Sequence, residues 1–250
     1  MEKWEGKLAI VTGTSSGIGR GIAIKLVEAG VRVVGIARRE DLGRELELAL
    51  DGKRGRFYHL TADITKEGEV FNAFKWIEDN LGVAHVLVNN AGTTRETTLI
   101  DGKTTCWKDI LDINILGLSM MTREAVKSMR ANNIPGEIIH IGSLGGCITS
   151  SPVKGLRMYC ASKHAVRSLT EGLRQELLEV GSEIKISCIN PGIVEHTELV
   201  QYNEALKEFI PLLEQSLKPE DIGDMVLFVL SRPPHVQIHD IVLRPTGEII

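Results

Sequence analysis

Cysteine is scarce in this chain and badly placed for metal or disulfide chemistry. The four present, Cys106, Cys147, Cys160 and Cys188, are widely spaced and form no C-x-x-C pair. That argues against a zinc site and against a secreted disulfide scaffold, and favours reduced thiols in a cytoplasmic protein. A basic excess is also missing. The net charge is −4 and no long Lys/Arg run occurs, so no nucleic-acid surface is expected. No apolar run reaches the roughly 18 residues that a membrane span needs. The opening residues, MEKWEGK, are charged and run straight into a strand, so neither a signal peptide nor stable membrane insertion is expected. Six histidines, His59, His85, His140, His164, His235 and His239, show no metal-ligand spacing, and no metal is expected. Repeats, low-complexity tracts and Pro/Ser-rich linkers are absent too, which leaves residues 1–250 as one domain.

What is present is an ordinary globular composition, 43% hydrophobic and 25% charged, enough for an ample core. Short β-branched runs alternate with longer amphipathic ones. Strands are predicted at 7–12, 31–37, 55–60, 85–89, 137–142, 184–190 and 238–243. Helices are predicted at 18–29, 42–50, 67–80, 105–131, 158–180, 203–215 and 219–230. Strand–helix alternation with continuous apolar strands predicts an α/β fold: a single doubly wound, Rossmann-type domain around a seven-stranded parallel sheet with helices on both faces.

The first strand ends in TGTSSGIG, Thr12 to Gly19, with glycines at Gly13, Gly17 and Gly19. Such a loop needs one glycine for a tight turn, one for backbone approach to a pyrophosphate, and one for helix–strand packing. The helix that opens at Ile18 offers free N–H groups and a positive dipole end to phosphates, and Ser15 and Ser16 can add hydroxyl donors. Glycines alone are a weak signal; directly after the first strand they point to a dinucleotide. The second strand ends in Ala37, Arg38 and Arg39. A site for unphosphorylated NAD usually carries an acid there. Two guanidiniums suit a 2′-phosphate instead, which predicts NADP.

Further along, the stretch YCASK places Tyr159 and Lys163 four residues apart, one turn above the other on a single helix face. A free phenol has a pKa of about 10, too high to shuttle protons near neutrality. A nearby cation lowers it, and a general acid/base works best near the working pH. Alone, Y-x-x-x-K also opens ordinary amphipathic helices; the other motifs give it meaning.

Taken together, these motifs resemble the short-chain dehydrogenases/reductases, in their compact branch, over nearly the whole chain. TGTSSGIG resembles that family's cofactor loop, and NNAG at Asn89–Gly92 its fourth-strand motif. NPG at Asn190–Gly192 resembles its turn beside the nicotinamide. The segments KWEGKLAIVTG, LTEGLRQEL, LKPEDIGD and LRPT resemble those of insect farnesol dehydrogenases and the related member-11-type carbonyl and steroid reductases. The resemblance implies a catalytic set of Asn114, Ser143, Tyr159 and Lys163. Tyr159 is the general acid/base, Ser143 holds the substrate oxygen, Lys163 also holds the nicotinamide ribose, and Asn114 keeps a water and the lysine in place. It implies further cofactor contacts from Asp63 and Ile64 to the adenine, from Asn90, Ala91 and Gly92, and from Pro191, Gly192, Val194 and Thr197.

Two departures from the family pattern stand out. Ser143 and Tyr159 are a few residues further apart than usual, with the excess in CITSSPVKGLR, so an expanded loop is expected at the mouth of the site; its Ser150 and Ser151 read as loop polar residues. The family's P-G-x-V-x-T carries His196 at its last position, with Thr197 just after, so either residue could meet the cofactor carboxamide; His196 reads as a replacement contact, a substrate contact or, as the plainest reading, an exposed loop residue. A lid of about 196–216 is expected, its apolar residues Tyr202, Leu206, Phe209, Ile210, Leu212 and Leu213 at helical spacing. That favours a small apolar alcohol or carbonyl substrate: an isoprenoid such as farnesol, a ketosteroid or an aromatic carbonyl. The alternatives are an extended-type nucleotide-sugar epimerase, which needs a longer C-terminal part, and a non-catalytic NADP-binding sensor or scaffold. By the family's habit of pairing the helices at 105–131 and 158–180, a homodimer or homotetramer is expected.

Overall fold

In a computed structural model, residues 1–148, 153–197 and 216–248 are described. The expected helix at 203–215, most of the expected lid, and Ser150 and Ser151 lie outside those residues. Seven strands form one sheet: β1 (Leu8–Thr12), β2 (Arg32–Ala37), β3 (Arg56–Thr61), β4 (Val86–Asn89), β5 (Glu137–Ile141), β6 (Lys185–Pro191) and β7 (Asp240–Leu243). Every pairing is parallel and the order is β3-β2-β1-β4-β5-β6-β7. The helices are α1 (Gly17–Glu28), α2 (Glu40–Ala49), α3 (Glu67–Leu81), α4 (Thr104–Leu111), α5 (Leu118–Ala131), α6 (Arg157–Glu179) and α7 (Pro219–Leu230).

Alternation along each strand builds two cores. Ala9 and Val11 of β1 face Ile22 and Leu26 of α1 and Ile222 and Val226 of α7. Leu8 and Ile10 face the other way, toward Phe74 and Ile77 of α3 and Met121 and Met129 of α5. A parallel strand buried on both faces is apolar along most of its length, and β1 and β4, buried throughout, are polar only at their last residues, Thr12 and Asn89. The chain leaves β1 toward β2 and β3, then returns to β4 on the other side. The strand order therefore reverses between β1 and β4, and a crevice opens beyond their C-terminal ends.

The single helix expected over 105–131 differs in detail. It runs from Thr104 to Ala131, but Asp112–Gly117 is π-helical and separates α4 from α5. Such wide turns insert an extra residue and occur often at functional sites. Here the widened stretch carries Asn114.

One polar group sits deep in the second face. His140 of β5 is buried, with Nε2 3.2 Å from Thr122 Oγ1 and Nδ1 3.0 Å from Thr170 Oγ1. Burial, aided by the Lys163 charge, pushes its pKa down to about 3. An unfolded imidazole takes its proton near pH 6.5. Between those values the unfolded chain binds more protons, so stability falls as the pH falls, by up to about 1.4 kcal/mol per pH unit from this group. Thermal melts at pH 7 and pH 5 should show a larger loss for the wild type than for His140→Gln. Equal losses would assign the acid sensitivity elsewhere.

Candidate active site

The crevice beyond β1 and β4 is a cleft of about 410 Å³. At its β1 end, Gly13 and Gly17 both take positive φ, 74° and 54°. A Cβ on Gly13 would lie 2.9 Å from Ala91 Cα, so the loop can approach the NNAG segment only without a side chain there. Gly19 is buried and does not line the cleft. Its missing Cβ would fall 2.3 Å from Gly13 O and 2.4 Å from Asn90 Nδ2, which makes it the glycine that lets α1 pack against β1. Thr12 joins the two strands: its hydroxyl accepts from the N–H groups of Asn90 and Ala91, both at 3.0 Å.

Arg38 and Arg39 are exposed at the end of β2 and line the same cleft. Arg39 Nη2 donates to Ser16 Oγ at 2.9 Å, tying the arginine pair to the glycine loop. Asp63 follows β3. Burial would raise its carboxyl, but two hydrogen bonds from Thr65 and the Arg38 charge outweigh burial and hold it below the usual range. Both Thr65 bonds fall on Oδ1, so Oδ2 has no partner among the described residues.

At the other end, α6 presents Tyr159 and Lys163 beside Ser143, which follows β5. Ser143 Oγ accepts from Gly145 N–H at 3.1 Å, and the Ser143 side chain stands beside the Tyr159 phenol. Lys163 Nζ donates to Ile141 O at 2.9 Å and stands 5.8 Å from the centre of the Tyr159 ring. Burial pushes Tyr159 up to about 12, with the neighbouring Ser143 hydroxyl pulling the other way. Burial also lowers Lys163 to about 8. The two groups thus meet as expected, and burial is the largest influence on the phenol.

Asn114 lies behind the cleft wall, 1% exposed. Its Oδ1 accepts from Thr93 N–H at 2.8 Å, and its Nδ2 donates to Thr93 O at 3.0 Å and Ser162 Oγ at 2.9 Å. Ser162 in turn donates to Tyr159 O at 2.7 Å, so Asn114 anchors both the NNAG loop and the first turn of α6.

The remaining wall is the turn after β6, where Pro191, Gly192, Val194 and Thr197 all line the cleft. Gly192 N–H donates to Leu243 O and Glu195 N–H to Leu217 O, while Ile193 N–H is bound by a carboxylate. Of these four consecutive N–H groups, Val194's is unpaired among the described residues. Thr197 sits beside the glycine loop, its Cγ2 3.4 Å from where a Gly17 Cβ would be. His196 is exposed, in the left-handed region at φ 57°.

Every sequence-predicted cofactor residue except Gly19 lines the cleft: Ser15, Ile18, Ile64, Asn90, Ala91 and Gly92 join those above. The sequence reading missed Thr93, Thr94, Arg95 and Ile113, which line it as well. They carry no motif, and only the fold brings them there.

The sequence profile described as short chain dehydrogenase matches residues 7–207. The chain belongs to that family. As one of its members it is an oxidoreductase of alcohols and carbonyls and uses a nicotinamide cofactor. Among short-chain dehydrogenases it is 40% identical, over 261 residues, to dehydrogenase/reductase SDR family member 11 of Mus musculus, covering 100% of this chain and 98% of that protein. It is also 40% identical, over 253 residues, to farnesol dehydrogenase of Aedes aegypti, with 99% of each covered. Among solved structures, the closed form of a serine dehydrogenase complexed with NADP+ superposes with a TM-score of 0.87 at 27% identity, covering 97% of this chain and 96% of that one. The residues present fit a dinucleotide: glycines where a Cβ would collide, an Asp63 oxygen and a Val194 N–H that have no partner among the described residues, and two arginines at the β2 end.

Proposed function

We propose that this protein interconverts an apolar alcohol and its carbonyl compound with NADP(H), using Tyr159 as general acid/base. The observation that carries the proposal is the meeting of the Tyr159 phenol, the Ser143 hydroxyl and the Lys163 ammonium at one end of the dinucleotide cleft. When bound, the nicotinamide supplies or accepts the hydride at the substrate carbon. Tyr159 Oη gives its proton to the substrate oxygen during reduction and takes it back during oxidation. With its pKa raised, the phenol holds that proton at neutral pH, the state a proton donor needs. Ser143 Oγ donates to the same oxygen as it gains charge. Lys163 places a cation beside the phenolate left behind. Asn114, through Ser162, fixes the turn of α6 that aims Tyr159.

Arg38 and Arg39 support NADP over NAD. The likeness to a farnesol dehydrogenase and to a member-11 reductase supports an isoprenoid, ketosteroid or similar carbonyl substrate. The test is oxidation of NADPH with farnesal, ketosteroids and small diketones, with NADH run in parallel. Carbonyl-dependent oxidation of NADPH is expected. A protein that binds NADPH and oxidises it with none of the panel would overturn the substrate reading.

A further inference from the structure

Four hydrogen bonds tie the backbone of Gly192–Glu195 to distant parts of the chain, and one of them is of a different kind. Gly192 N–H donates to Leu243 O at 2.7 Å, Leu217 N–H to Ile193 O at 3.0 Å, and Glu195 N–H to Leu217 O at 2.9 Å. These three join backbone to backbone. The fourth runs from Ile193 N–H to Glu248 Oε1 at 3.0 Å, across 55 residues of sequence. Glu248 follows the turn after β7, and its chain folds back until the carboxylate lies against the peptide of Gly192. A Cβ on Gly192 would sit 2.5 Å from Oε2 and 2.6 Å from Oε1, so the glycine makes room for the acid. Oε2 is buried with no hydrogen-bond partner among the described residues. Burial raises the pKa of the acid, while the Ile193 N–H and the Arg244 charge pull it down.

Glu248 is half-buried, and sealing one carboxylate oxygen from solvent with no hydrogen bond is costly to keep without a purpose. Its effect here is directional. Ile193 N–H is drawn away from the cleft, and Leu217 draws away Ile193 O and Glu195 N–H. With both neighbours fixed outward, the alternation of an extended backbone turns the Val194 N–H to the opposite side, toward the cleft it lines. We propose that Glu248 is a positioning residue for the nicotinamide end of the cofactor, acting through the Ile193 peptide and the Val194 N–H. This rests on the reading that the cleft binds a nicotinamide dinucleotide. It concerns one end of that site only, because the glycine loop, Arg38, Arg39 and Asp63 have no bond to Glu248.

The test compares two probes by calorimetry: NADPH, and adenosine 2′,5′-bisphosphate, which lacks the nicotinamide half. For Glu248→Ala the dissociation constant of NADPH should rise by about tenfold, the scale of one charge-assisted hydrogen bond, while that of the bisphosphate stays at its wild-type value. Glu248→Gln keeps an oxygen acceptor for Ile193 N–H and should recover most of the NADPH affinity. Gly192→Ala pushes the carboxylate off the turn and should reproduce the Glu248→Ala loss, adding little in the double variant. The melting temperature of each variant separates local from global effects, and Gly192→Ala carries the test if Glu248→Ala does not fold. Unchanged NADPH affinity, or equal losses for both probes, would overturn the positioning role. A wild-type protein that binds neither NADPH nor NADH would overturn the cofactor reading beneath it.

Discussion

Tyr159→Phe should lower turnover by at least about 100-fold while the cofactor still binds. The substitution keeps the ring that stands 5.8 Å from Lys163 Nζ and removes only the oxygen that meets Ser143. Ser143 stays oriented, because its Oγ also accepts from Gly145 N–H. What disappears is a proton held where the substrate oxygen gains charge. A loss of 100-fold corresponds to about 2.7 kcal/mol of barrier, an ordinary share for one acid/base group. Burial pushes the phenol up to about 12, so alcohol oxidation by the wild type, which needs the phenolate, should quicken as the pH is raised through the alkaline range. Tyr159→Phe should lose that rise along with its activity. Steady-state rates in both directions, with cofactor binding followed by fluorescence, make the comparison. Turnover near wild type would remove Tyr159 from the chemistry.

Arg38→Ala combined with Arg39→Ala should raise the KM for NADPH at least about tenfold and leave that for NADH nearly unchanged. A charge-assisted hydrogen bond to a phosphate contributes about 1.5–3 kcal/mol, which is about tenfold to a hundredfold in affinity. Both arginines are exposed, so solvent screening argues for the lower end of that range. Arg39 is held at the glycine loop by its 2.9 Å bond to Ser16 Oγ. The next acid does not compete for a ribose: Glu40 begins α2 and pairs with Arg44 at 2.6 Å. Added salt should weaken NADPH binding more than NADH binding. If the wild type prefers NADH, or if the double variant loses both cofactors equally, the arginines are surface charges.

Much of this site was legible in the sequence because its parts are local. A glycine loop after a first strand, two arginines after a second, and Tyr159 and Lys163 one helical turn apart all declare themselves by spacing. The seven strands were legible for a related reason: strands buried on both faces cannot hide their apolar runs. The π-helical stretch around Asn114 was not legible, since one extra residue in a turn leaves the apolar pattern of α4 and α5 intact. Thr93, Thr94 and Arg95 gave no signal, being placed only by the path of the loop after β4. Burial, the largest influence on the Tyr159 phenol, left no mark in the spacing either.

The crevice between β1 and β4 also bears on how the chain reaches its native state. The Thr12 hydroxyl that closes it binds the N–H of a residue 78 positions later. Until β4 arrives, β1 has a partner on one side only, and its other edge is an open row of donors and acceptors beside side chains that are apolar from Leu8 to Val11. Such an edge invites mispairing during synthesis or refolding. Contacts of that sequence separation also form slowly, because the entropy of closing the loop is lost before the ladder repays it. A nascent chain that ends before β4 holds the complete glycine loop but neither the NNAG wall nor the closed middle of the sheet. The glycine loop therefore acquires its opposite wall in the same long-range step that seals an open apolar edge of the sheet.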